Sequence, residues 1–175
     1  MFKRFIFLFC FWSFSCQEAE YNLDNPFDPA NMDLVPPALF FHPPKINASL
    51  GQVVSVELYG LELDPAAAAH LKVKYDWGRL KYEYITPNEF FTGINNPVEV
   101  IIQEEGLLDI YIYYLPDMQS SQNEGGTWSL ASIYFTAIAI GESDVEYDPV
   151  ITILRDSNND PVFINEFGMG FINIE

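Results

Sequence analysis

The sequence predicts an all-β chain of about nine short strands, a β-sandwich or barrel, with one short helical turn. Three observations carry that prediction. Apolar and polar residues alternate over short stretches, Gly, Pro, Asn and Asp punctuate those stretches, and no stretch sustains a long helical period. Hydrophobic residues make up 49% of the 175 residues and aromatics 16%. That is enough apolar side chain to fill one core, and it excludes a wholly disordered chain.

In chain order, residues 1–15 read as a secretory signal peptide: basic Lys3-Arg4, an apolar run over 5–12, and small residues up to Ser15. The run is shorter than the about 20 residues that span a bilayer. Ser15-Cys16 resembles the lipobox of bacterial lipoproteins, in which cleavage before the cysteine leaves it to carry the lipid. Cys10 lies inside the leader, so Cys16 is the one cysteine expected in the mature chain and no internal disulfide can form. The resemblance implies an exported chain, tethered at the outer membrane or cell surface through lipid on Cys16. Residues 16–37, rich in Pro and Asp, read as a semi-rigid linker behind that anchor, and residues 38–175 as the folded domain.

Ala38-Leu39-Phe40-Phe41 is a first strand, ended by His42-Pro43-Pro44. Gly51 opens a strand over 51–58, and 71–75 alternates with Lys72 and Lys74 on the wet side. A strand at 81–85 follows. Those at 98–102 and 108–115 form a hairpin, because Gly106 in the connecting Gln103-Glu104-Glu105-Gly106 can take a positive φ. The longest β-prone run is 127–140; 150–154, 162–164 and 169–174 complete the set, with a turn at 156–161. Asp64-Pro65, followed by four alanines and His70, reads as the helical turn, with Asp64 as N-cap and His70 at the negative end of the dipole.

The formal net charge of −17 excludes nucleic acid as a partner, since such binding rests on Lys and Arg neutralising phosphate. No catalytic residue is predicted, because neither histidine, His42 nor His70, has a triad pattern around it. Asp156, Asn158 and Asp160 alternate as oxygen ligands for calcium do. Pro161 stands where an EF-hand needs glycine, however, and Phe167 where it needs glutamate. A plain hairpin loop selects the same residues, and no cofactor besides calcium is in view. In 108–115 the period of two puts Leu108, Ile110, Ile112 and Tyr114 on one face and Asp109, Tyr111, Tyr113 and Leu115 on the other. Tyr111 and Tyr113 are candidates for stacking on a partner, or for cross-strand pairs within the sheet. Trp77 and Trp128, at turns or strand ends, are further binding candidates or a rim of the core.

The order of these features resembles the cohesins, jelly-roll sandwiches related to cellulose-binding modules. Similar to that family are an early strand ending in proline (Phe40-Phe41-His42-Pro43-Pro44), a glycine and Val-rich strand over 51–58, and Leu71-Lys72-Val73-Lys74-Tyr75-Asp76 followed by a short turn and Leu80. The small and apolar strand over 129–139 and the glycines of Phe167-Gly168-Met169-Gly170 before a final alternating strand also match. One departure is the alanine-rich 65–69 segment, where the family has a short Gly/Ala loop. The resemblance implies a non-catalytic module whose sheet face docks a protein, as cohesins dock the dockerin modules of polysaccharide-degrading enzymes. Two other readings stay open: a carbohydrate-binding module that holds a polysaccharide on Tyr111, Tyr113, Trp77 or Trp128, and a structural envelope lipoprotein.

Overall fold

The computed structural model describes residues 33–88, 90–91, 98–114 and 125–175, and no helix occurs among them. The signal peptide, Cys16 and most of the expected linker lie outside the described residues. Among the described residues there are thirteen strands: β1 (Ala38–His42), β2 (Lys45–Ala48), β3 (Val53–Leu63), β4 (Ala68–Tyr75), β5 (Leu80–Pro87), β6 (Val98–Glu104), β7 (Leu107–Tyr113), β8 (Gly126–Ala137), β9 (Gly141–Tyr147), β10 (Ile153–Arg155), β11 (Pro161–Val162), β12 (Glu166–Phe167) and β13 (Gly170–Ile174). They form two mixed sheets, one of five strands in the order β12-β1-β3-β8-β5 and one of eight. In the larger sheet β6 and β7 lie on one edge of β4, while β9 and β10 share the other. Beyond β9 come β13 and β2.

The prolines expected to end the first strand mark a change of sheet. Pro43 and Pro44 carry no backbone donor, so the ladder stops, and the chain passes from β1 in the small sheet to β2 in the large one. The C-terminus makes the same crossing. β12 runs parallel to β1 and β13 parallel to β2. At this second crossing a Cβ on Gly168 would sit 2.9 Å from Phe40 Cβ, and one on Gly170 would sit 3.0 Å from Phe41 Cβ, so only glycine lets the two crossings touch. Just before β1, Val35 N donates to Glu166 Oε2 at 2.6 Å and Leu34 packs on Ala38, Phe40 and Leu61.

The core fills the space between the sheets. Leu108, Ile110 and Ile112 of β7 and Leu71 and Val73 of β4 are buried against Val56, Leu58, Ile133 and Phe135 of the small sheet. Phe41 stacks on Tyr147 at 4.4 Å, and Phe135 lies 5.0 Å from Tyr75. The inward and outward positions predicted for 108–113 are the observed ones.

Two expectations change. The alanine-rich helical turn does not form; residues 64–67 are a loop and the alanines run straight into β4. Ala67 N donates to Arg155 O at 2.7 Å, Tyr114 N donates to Ala67 O at 3.0 Å, and Ala66 and Ala69 are buried in the core. Pairing on both edges outweighs the helix preference of alanine, and the small side chains suit the close packing. His70 is accordingly a strand residue, not a helix end. The longest β-prone run also ends early, as β8 at Ala137, and the strand β9 follows in a segment that local pattern left unassigned.

Replacing Phe135 by alanine is expected to lower unfolding free energy by about 3–5 kcal/mol, because it empties the middle of the sandwich. The check is a urea denaturation curve whose midpoint falls without a change in slope.

Candidate functional site

The outer face of the large sheet is built by strand periodicity. β7 turns Leu108, Ile110 and Ile112 inward, so Asp109, Tyr111 and Tyr113 must point out. β4, paired antiparallel to it, presents His70 opposite Tyr111 and Lys72 opposite Asp109. On the other side of β7, β6 places Val100 opposite Tyr111 and Ile102 opposite Asp109. Val100 and Ile102 are 43% and 50% exposed. Across the far edge of β4, Ile153 of β10 stands opposite His70. Exposed apolar side chains therefore flank a polar centre.

That centre is Asp109. Lys72 Nζ donates to its Oδ2 at 3.1 Å, and His70 Nε2 lies 2.8 Å from its Oδ1. The His70 ring stacks on Tyr111 with centroids 4.2 Å apart and planes 16° apart, which fixes both rings. Partial burial pushes the Asp109 carboxyl up, but the hydrogen bonds from His70 and Lys72, with their charges, outweigh it and hold the carboxyl below its ordinary value. The same bond to Asp109 raises Lys72. One step along β4, Lys74 reaches Asp148 at 3.0 Å. Beside the cluster, a hollow of about 170 Å3 is lined by His70, Tyr111, Tyr113, Ile153 and Arg155.

The four aromatics singled out from the sequence do not share one platform. Tyr111 and Tyr113 belong to this face. Trp77, 55% exposed, sits in the turn after β4 and lies over Gly106 of the β6–β7 hairpin. Gly106 has φ +75, as the hairpin required. Trp128, 48% exposed, belongs to β8 of the opposite sheet, where its Nε1 donates to Gly125 O at 2.7 Å. The two histidines are also apart, His42 ending β1 and His70 in β4.

At the Asp156 turn, Oδ1 of Asp156 accepts from Asn158 N at 2.9 Å and Asp160 N at 2.8 Å, and Oδ2 accepts from Asn158 Nδ2 at 3.3 Å. The carboxylate is thus occupied in building the turn, with Asn159 in the left-handed region (φ 69). Among the described residues no group of three or more His, Cys, Asp and Glu side chains is placed to hold a metal ion.

No protein-family model matches the sequence, and no curated protein does. Solved structures match over most of the chain. A type II cohesin domain from the cellulosome of Acetivibrio cellulolyticus superposes with a TM-score of 0.66 at 18% identity over 78% of this chain and 94% of its own. A non-cellulosomal cohesin from Archaeoglobus fulgidus gives a TM-score of 0.64 at 14% identity, over 79% of this chain and 90% of its own. The chain has a cohesin-like fold. A third relative in structure is the sixth cohesin of Acetivibrio cellulolyticus scaffoldin B, solved in complex with a Cel5 dockerin, with a TM-score of 0.62 at 20% identity over 79% of this chain and 98% of its own.

Within this cohesin-like frame, sequence reasoning placed Asp109, Tyr111 and Tyr113 on one face but missed His70, Lys72, Val100, Ile102 and Ile153 as their neighbours. Alternation along each strand marks these side chains as outward-facing; the register that joins them does not show in any one segment.

A carboxyl held low in the folded state stabilises it above the unfolded pKa, and that contribution is lost as pH falls through the folded value. For Asp109 the loss is expected below about pH 4. Asp109→Asn removes it, so acid unfolding followed by circular dichroism should show a shallower dependence in that range for the variant than for the parent chain.

Proposed function

We propose that this chain is a non-catalytic docking module, which binds a dockerin-type protein on the outer face of the large sheet. The observation that carries the reading is the composition of that face: Val100, Ile102, Tyr111, Tyr113 and Ile153 around the Asp109 cluster. Apolar and aromatic side chains on both sides of a charged cluster that is satisfied within its own chain give a protein partner anchors to bury, while the polar centre sets register. The scaffoldin B cohesin, solved with a dockerin, supports the choice of partner. The formal charge of −17 favours a partner with a basic surface.

We propose further that the chain is exported and held at the cell envelope by lipid on Cys16. The support is the sequence of its first residues: a basic start, a short apolar run and Ser15 before Cys16. Acyl chains contribute about 0.8 kcal/mol for each buried CH2, so a multiply acylated cysteine is a firm tether.

The test of docking is calorimetry with purified dockerin modules encoded by the same organism. Tyr111→Ala is expected to weaken binding by about 2 kcal/mol or more, the size of an interface anchor. The association rate should also fall as salt rises. Binding that is unchanged in both Tyr111→Ala and Ile102→Ala overturns this choice of face, and retention of polysaccharide in place of any protein favours the carbohydrate-binding reading. For the anchor, Cys16→Ser should move the protein from the membrane fraction to the soluble one and abolish labelling by radioactive palmitate; membrane retention of the variant overturns it.

A further inference from the structure

A second concavity lies at the hairpin end of the same sheet. It is a groove of about 410 Å3 that opens where β5, at the edge of the small sheet, faces β6, at the edge of the large one. Tyr75, buried, and Tyr82, partly buried, form its floor, and the exposed indole of Trp77 stands at its mouth. The Gln103 side chain hydrogen-bonds Tyr75 along the wall. The groove is open and large enough for one side chain, and its lining combines aromatic rings with polar groups.

Charge decides what fits. Glu104 and Glu105 line the groove, and Glu99 is close enough for its charge to act on the Tyr82 phenol. Among the described residues none of these three carboxylates is in an ion pair, while Lys81, the one cation lining the groove, is engaged by Glu83 at 2.9 Å. Burial pushes the Glu99 carboxyl up, the mark of a carboxylate that loses water and gains no cation. Glu104 also acts at longer range on Lys72, but an indole face beside carboxylates that no salt bridge engages attracts a cation through both its ring quadrupole and their charge.

The groove is also continuous with the docking face. Glu104 is the last outward residue of β6, in line with Ile102, and it lines the groove as well. We infer that the groove receives an Arg or Lys side chain of the protein that docks on the large sheet, seated against Trp77 with its charge toward Glu104 and Glu105. This rests on the docking reading of the sheet. It adds a specificity element at the end of the sandwich, away from the Asp109 cluster.

The experiment titrates the full chain, labelled with nitrogen-15, with N-acetyl-arginine N-methylamide, and follows the Trp77 indole N–H and the Gly106 amide. N-acetyl-glutamine N-methylamide and cellotetraose are run in parallel. The arginine compound is expected to shift both signals saturably and less at high salt, the glutamine compound to leave them in place. Read at Gly106, Trp77→Ala and Glu105→Gln should each weaken the response about 2–5-fold. No response to the arginine compound, an equal response to the glutamine compound, or an unchanged response in both variants overturns the proposal. A stronger response to cellotetraose overturns it in favour of a neutral glycan. Any of these leaves the docking reading standing, because that depends on Tyr111→Ala and on a whole protein partner.

Discussion

Strand β4 is hydrogen-bonded to three others, and the rest of the structure depends on that arrangement. β7 occupies one edge along its length; β10 takes the other edge at Ala68–His70 and β9 takes it at Val73–Tyr75. Where the second edge changes hands, Asp148 N donates to Lys72 O at 2.8 Å and Lys72 N donates to Thr152 Oγ1 at 3.1 Å, so the backbone stays satisfied through the gap. Inward, β4 gives Leu71 and Val73 to the core; outward, it gives His70 and Lys72 to Asp109. A single strand thus couples the packing of the sandwich to the geometry of its outer face.

How much of this was legible in the sequence differs from element to element. β7 was plain because its inward residues, Leu108, Ile110 and Ile112, are all apolar. β9 was not, although it alternates as strictly: Ser143, Val145 and Tyr147 are buried while Glu142 and Asp144 are exposed. A buried serine and a run of acids hide a strand from any reading of hydrophobicity. The alanines that lead into and open β4 misled in the opposite direction. Their helix preference is intrinsic, whereas the two neighbouring strands that hold them extended come from distant parts of the chain.

The candidate site shows the same division. Tyr111 and Tyr113 stand out because aromatic residues two apart on a strand share a face. That His70 lies beneath Tyr111 follows from the register of β4 with β7, and that Trp128 is on the other sheet follows from topology. Neither is a local property. The acidic turn is the reverse case, since its Asx hydrogen bonds are local and the Asp156-x-Asn158-x-Asp160 spacing accounts for them fully.

The two sheet crossings bring the first strands of the domain beside its last: β1 pairs with β12, and β2 with β13. The earliest part of the domain to be synthesised therefore has no partner on that side until the final residues are made. Such a topology has high contact order, and closing so long a loop precedes any gain from the pairing. Until then β1 can pair only with β3, and β2 has no strand beside it. Strands β12 and β13 thus act as the clasp of the sandwich, holding both sheets at the end where the domain begins.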